Sequence, residues 1–340
     1  MPLVAEFRIV SKPVRVIGAG IAGTWTALLL AETGRAVTLY ERGAEDRLSG
    51  ATSWWAGGML APDCESEGAE AVVVRLGRRS IDLWRKHLPE TALEGSLVVA
   101  HARDRAELER FARQTSGHER IGGDRLAALE PALAGRFREG LFFAHEGHVE
   151  PRRVLESMRA ALRARGVALR FGTSVVPGDL DGIVVDCRGL AARDALPDLR
   201  GVKGEVVVVE TAEIALTRPV RLMHPRWPLY VIPRAENRFL IGATSIESED
   251  ASGVTVRSAL ELLTAAYTIH PAFGEAKIVE IGTALRPAFP DHAPRIQVTG
   301  DTIAVNGLYR HGFMMAPALA EIVAGYVADG VRDNEVMRWS

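Results

Sequence analysis

Three glycines at G-x-G-x-x-G spacing, Gly18, Gly20 and Gly23, follow the apolar pair Val16-Ile17 and run into a helical pattern. Gly18 suits a tight turn, Gly20 leaves room for the backbone to approach a pyrophosphate, and Gly23 lets a helix lie close on a strand. The N-terminus of that helix faces the phosphate charge with free amides and the positive end of its dipole. A second apolar run, Ala36-Val37-Thr38-Leu39-Tyr40, ends in Glu41, eighteen residues past Gly23. A carboxylate at that place can accept from a ribose hydroxyl pair. The whole unit predicts a dinucleotide site, and by itself it serves NAD as well as FAD.

Size and composition bound what the site belongs to. The 340 residues have room for one large or two ordinary domains. Hydrophobic residues make up 47% and charged residues 25%, the balance of a soluble globular chain. A net charge of −2 gives no general pull toward nucleic acid or an anionic membrane. The cations are 37 arginines and 4 lysines, so one arginine carries no argument without its context. Cys64 and Cys187 lie far apart without metal-type spacing, so neither a disulfide framework nor a metal site is expected. No apolar run is read as reaching the roughly eighteen residues of a membrane span. The N-terminal stretch with Glu6 and Arg8 lacks a signal-peptide core, and a cytoplasmic protein is the expectation.

The elements that must position the site alternate along the chain. After the first strand comes a helix over 24–33, ended by Gly34, and then the strand that leads to Glu41. A small-residue loop runs from Ser49 to Pro62. Residues 69–88 and 103–115 read as amphipathic helices, and 97–100 and 141–143 as short strands. The helix over 150–165 carries Arg152, Arg153, Arg159 and Arg163. The near-neutral net charge favours a solvated face there over a nucleic-acid face. Strands follow over 167–171 and 182–185, then over 205–209, 229–233 and 239–243, with a helix over 256–267 behind these last three. A buried strand over 302–305 and a helix over 317–328 close the chain. The expected fold class is α/β, with a discontinuous Rossmann-type dinucleotide domain over 1–86, 148–199 and 283–340. An antiparallel-sheet α+β substrate domain, over 87–147 and 200–282, is inserted into it.

Four segments together resemble the amine-oxidising flavoenzyme superfamily of D-amino-acid oxidase, sarcosine oxidase and glycine oxidase. They are the unit from 18 to 41, the loop ending Ala56-Gly57-Gly58-Met59-Leu60-Ala61-Pro62, the turn Leu285-Arg286-Pro287, and Asn306-Gly307-Leu308-Tyr309-Arg310-His311-Gly312-Phe313-Met314-Met315-Ala316-Pro317. The stretches Tyr230-Val231-Ile232-Pro233-Arg234 and Ile241-Gly242-Ala243-Thr244 are similar to the glycine oxidases that feed thiamine thiazole synthesis. The likeness spans nearly the whole chain, with the segments in the family's order. It implies non-covalently bound FAD and replaces the nicotinamide reading. Two departures stand out: the connection from Gly172 to Asp181 is shorter than usual, and Trp54-Trp55 replaces smaller residues and reads as a core anchor.

By matching position, Gly18, Gly20 and Gly23 with the amides of Ile21 and Ala22 hold the phosphates, and Glu41 binds ribose with Arg42 beside it. Thr52, Ser53, Gly57, Gly58 and Met59 line the path to the flavin ring, and Val175 takes the adenine side. Leu308, Tyr309, Arg310, His311, Gly312, Phe313 and Met314 form a turn that aims amide dipoles at the ring. The resemblance gives Arg310 the leading role in gripping a substrate carboxylate, with Arg286 second and Tyr230 beside them. It implies direct hydride transfer from the substrate's α-carbon without a protein base, so His311 reads as packing or a flavin hydrogen bond. The implied reaction is oxidative deamination of a small amino acid, glycine first, with oxygen as electron acceptor. Sarcosine or a D-amino acid is the alternative substrate. An NAD-dependent dehydrogenase has no use for the C-terminal segment, and a non-catalytic flavin module has none for Arg286, Tyr230 and Arg310 together. A homo-oligomer stays open.

Overall fold

The computed structural model describes residues 12–46 and 50–340; Glu6, Arg8 and Ser49 lie outside the described residues. In chain order it starts with β1 (Val14–Ile17), α1 (Ile21–Glu32) and β2 (Val37–Tyr40), the expected strand–helix–strand unit. Then come β3 (Met59–Leu60), α2 (Ala71–His87), β4 (Ser96–Ala100), α3 (Arg105–Gln114), β5 (Glu119–Gly122), α4 (Gly123–Leu129), β6 (Glu139–Phe143) and β7 (Gly147–His148). The middle holds α5 (Pro151–Ala164), β8 (Ala168–Arg170), β9 (Ile183–Asp186), β10 (Arg200–Glu210), β11 (Val220–Met223), β12 (Leu229–Arg234) and β13 (Arg238–Gly242). The last stretch is α6 (Val256–Ile269), β14 (Lys277–Ala288), β15 (Arg295–Thr299), β16 (Thr302–Asn306), α7 (Gly312–Asp329) and β17 (Met337–Trp339).

These strands make two large sheets. One has the order β17-β15-β16-β9-β1-β2-β8, with β16, β9, β1, β2 and β8 mutually parallel. The other has the order β14-β10-β13-β12-β11-β4-β6-β5 and is antiparallel except where β11 lies parallel to β4. The first sheet gathers strands from the start, middle and end of the chain, as α/β patterning requires. Leu285-Arg286-Pro287, expected as a turn, lies inside β14, so the domain boundary expected at 283 falls within a strand. β14 is an edge strand, and an edge tolerates the missing amide of Pro287 because one side of its ladder is unpaired.

The helix over the last sheet strand begins at Gly312, five residues before its expected start at Pro317. A proline at that depth leaves the carbonyl four residues back without its intrahelical donor. Here that carbonyl, Phe313 O, accepts from the indole Nε1 of Trp84 on α2 at 3.0 Å. Trp84 is fully buried and meets Trp25 of α1 edge-on at 4.9 Å between ring centroids. The proline is therefore absorbed by a neighbouring helix, and α7 keeps its early start. α7 is also long and apolar enough to cross a membrane by length and composition, contrary to the expectation that no run qualifies. Met315, Leu319, Ala320 and Val323 are buried in the core shared with α1 and α2, which accounts for its apolar character, while Glu321 faces outward to Arg79.

Trp84→Phe keeps an aromatic ring but strips the donor from Phe313 O. It should lower unfolding free energy in urea by about 2 kcal/mol, the cost of a buried carbonyl without a partner plus a small void. A loss below about 0.5 kcal/mol would show that the carbonyl does not depend on Trp84.

Candidate active site

At the N-terminus of α1 the motif glycines divide the work. A Cβ on Gly23 would stand 1.9 Å from the carbonyl oxygen of Gly18, and one on Gly18, whose φ is +99°, would stand 2.5 Å from that of Cys187. Those two positions are closed by the protein's own backbone. A Cβ on Gly20 would meet only Ser53 Oγ, at 3.3 Å, so its bareness faces open space. That space is a cleft of about 710 Å³ lined by Gly18, Gly20, Ile21, Ala22, Glu41, Arg42, Thr52, Ser53, Val175, Leu308, Tyr309 and Gly312. Glu41 accepts from Ala19 N and Gly43 N, both at 2.8 Å, which ties the end of β2 to the glycine turn. The amide of Ile21 donates to Ser53 Oγ at 3.1 Å.

The cleft continues into a chamber of about 600 Å³, for Ile21, Thr52, Ser53, Tyr309 and Gly312 line both. The chamber adds Gly57, Gly58, Met59, Tyr230, Arg286, Arg310, His311, Phe313 and Met314 from the expected set. Gly23 alone of that set lies in neither space, because its place is against the Gly18 carbonyl. The N-terminal turn of α7, beginning at Gly312, opens on the chamber and brings the positive end of a long dipole there. Tyr309, just before it, takes φ +47°, a left-handed conformation that costs a non-glycine residue energy. Its amide donates to Pro287 O at 2.9 Å and its ring stacks on His292, which hold it there.

Arg286 leaves β14 and lies flat over Gly204 of the paired strand β10, where a Cβ would stand 2.2 Å from the guanidinium. Its Nη1 donates to Thr244 O at 2.9 Å, and among the described residues no carboxylate pairs with it. Burial and then the nearby Arg310 charge pull its pKa down to about 10. Arg310 is different. Its Nη2 donates to Glu65 Oε2 at 2.6 Å, and Glu65 also accepts from the hydroxyl of Tyr230. Burial opposes the charge on Glu65, yet the guanidiniums of Arg310 and Arg221 and the imidazole of His311 hold it well below the usual carboxylate range. Arg221 donates to Tyr230 Oη at 3.1 Å and to Glu67 Oε2 at 2.9 Å. Burial drives the pKa of His311 down to about 4, so its ring is neutral at pH 7. His311 Nδ1 lies 3.8 Å from Glu65 Oε2.

Sequence reasoning missed Glu65, Arg221 and Gly204. The signal for Glu65 was the alternation Cys64-Glu65-Ser66-Glu67 directly after the apolar loop. For Arg221 it was a lone cation in the otherwise apolar Val220–Met223, opposite Tyr230 in register. Trp54 and Trp55 are half-buried rather than a core anchor. The Trp55 ring lies on Gly282 of β14 and lines the chamber, and Trp54 lies under the guanidinium of Arg152 at 4.3 Å. A glycine on the edge strand opens a slot that the ring fills from the chamber side.

Residues 14–326 match the family described as DAO, FAD dependent oxidoreductase. The chain belongs to that family. It is 51% identical over 311 residues to a Rhizobium etli protein provisionally named thiamine biosynthesis oxidoreductase ThiO, covering 91% of this chain and 94% of that one. It is 29% identical over 351 residues to the glycine oxidase of Pseudomonas aeruginosa, covering 92% and 94%. The crystal structure of glycine oxidase from Geobacillus kaustophilus superposes with a TM-score of 0.77 at 23% identity, covering 93% and 94% of the two chains, and so shares the fold.

The cofactor of this DAO-family chain is FAD, and the residues present fit it. The open face of Gly20 and the amides at the start of α1 suit a pyrophosphate. The continuous path through Thr52 and Ser53 to the start of α7 suits a molecule with charge at one end and a ring at the other. Gly20→Val should fold as the wild type does but fail to retain FAD through gel filtration. Gly23→Ala should fail at folding itself, because its methyl group has nowhere to go. A yellow Gly20→Val protein would overturn this division.

Glu65 is aimed by a second buried acid. Glu146 Oε1 accepts from Asp63 N at 2.9 Å and from Cys64 N at 2.7 Å, at the head of the short 3-10 turn Cys64–Gly68, and its other oxygen pairs with Ser96 Oγ. Burial pushes the Glu146 pKa up to about 8. Between the ordinary carboxyl pKa and about 8 the folded protein keeps a proton that the unfolded chain has released. Stability should therefore fall as pH rises through that window, and Glu146→Gln should flatten the dependence. An unchanged slope of urea stability against pH between 5 and 8 in that variant would overturn the assignment.

Proposed function

We propose that this oxidoreductase acts on the amine of a small amino acid, above all glycine, and yields an imine that hydrolyses to glyoxylate and ammonia or enters thiamine thiazole synthesis. Arg286 carries the reading. A buried guanidinium on the chamber wall, with a single carbonyl as its partner, keeps N–H donors for one substrate carboxylate. The lead passes to it from Arg310 because Glu65 already neutralises Arg310. The names of the Rhizobium and Pseudomonas relatives support glycine and thiamine synthesis as the setting.

When bound, FAD would supply the hydride acceptor, with oxygen as the final electron acceptor and hydrogen peroxide as the product. The chain's own residues bind and orient. Arg286 takes the carboxylate, while Met59, Ile232 and Leu240 keep the chamber wall apolar. Positioning in a water-poor chamber does the catalytic work. Near neutral pH the three titratable groups around Arg310 are poor bases: Glu65 is held ionised by its donors, the His311 pKa is about 4, and burial holds the Tyr230 hydroxyl protonated. The ammonium proton therefore leaves to solvent, and the neutral amine reacts.

Peroxide production should be greatest with glycine among glycine, sarcosine and D-alanine, and no peroxide from any of them would overturn the reading. Arg286→Met should lower kcat/KM by a factor of about 100 or more, as the loss of a buried charge pair does. The wild-type kcat/KM should rise with pH through the substrate's own amine ionisation, without an inflection between pH 6 and 7. Such an inflection, abolished in His311→Asn, would restore that residue as a base.

A further inference from the structure

A carboxylate of the protein occupies the place expected for a ligand's carboxylate. Glu65 takes the hydroxyl of Tyr230 and the Nη2 of Arg310, at 2.6 Å for the latter, and its side chain is only 8% exposed. Two residues on, Glu67 pairs with Arg221 and also with the more exposed Arg110. The far wall thus sets three guanidiniums, Arg221, Arg286 and Arg310, against two carboxylates. Of these three, Arg286 is the one without a carboxylate partner among the described residues.

Arg286 therefore has donors for one ligand carboxylate. A second one would have to displace Glu65 from the donors that a dicarboxylate needs. Arg310 is well placed to serve such a ligand. Its side chain is 39% exposed and lines the chamber, and its charge lies close enough to Arg286 to help lower that residue's pKa. The donors of a second anion subsite are therefore present and covered.

We propose that Glu65 is a specificity-determining residue that fills a second carboxylate subsite, built from Arg310 and Tyr230, and so limits this protein to amines bearing one carboxylate. The inference rests on Arg286 holding the first carboxylate. Exclusion works by charge and by space together. Glu65→Gln removes the charge and keeps the shape, and Glu65→Ala removes both.

The test uses two α-hydroxy acids that differ by one carboxylate, glycolate and hydroxymalonate, titrated into the FAD-loaded protein and read by the change in flavin absorbance. The wild type should bind glycolate at least about tenfold more tightly than hydroxymalonate. That preference should shrink by about tenfold or more in Glu65→Gln, and vanish or invert in Glu65→Ala. A ratio that stays within about twofold of wild type in both variants would overturn the proposal. So would a parallel weakening of both acids, which is what loss of a merely structural ion pair gives. Arg286→Met separates the two layers of the argument. It should lose both ligands, and if it binds glycolate like the wild type, the site reading beneath the proposal fails whatever Glu65 does.

Discussion

The chamber depends on setting three guanidiniums in one wall that neutralises them unequally. Arg221 and Arg310 are each neutralised by an acid on the same short turn, Glu67 and Glu65, whereas Arg286 has a carbonyl alone. A buried charge without a counter-ion is costly unless something supplies the missing charge. Such a cost, kept in a cavity beside a cofactor site, makes a binding site for the missing anion. The guanidiniums hold Glu65 ionised against its burial, whereas burial itself keeps the ring of His311 neutral and the hydroxyl of Tyr230 protonated.

The two sheets share the labour of building that wall. The parallel sheet and α1 fix the phosphate end, and the long β10–β14 pair of the other sheet presents Arg286. Between them α7 crosses the core and starts at the chamber, and it does so because Trp84 satisfies the carbonyl that Pro317 abandons. The turn that carries Glu65 is in turn held by Glu146, an acid whose own neutrality is set by burial. The Glu65 turn and the start of α7 are thus each held by a buried side chain outside the chamber.

How far this was legible in the sequence follows from what kind of constraint was at stake. The motif Gly18, Gly20 and Gly23, and the apolar loop through Met59, are local rules of backbone geometry, and local rules can be read from spacing. The start of α7 was misplaced because a proline normally stops a helix, and only a contact 229 residues away removes the penalty. Arg286 was read in a turn because Pro287 follows it, while the edge position of β14 is a property of the whole sheet. Glu65 was missed because its importance lies in what surrounds it. No spacing announces that Tyr230, more than 160 residues further on, will donate to it.

Gly204 carries a consequence of another kind. The guanidinium of Arg286 rests where a side chain at 204 would be, so any Cβ there would push the tip of this flexible arginine aside. The arginine would remain, but its N–H donors would point elsewhere. The two residues, 82 positions apart on paired strands, together set the direction of one guanidinium.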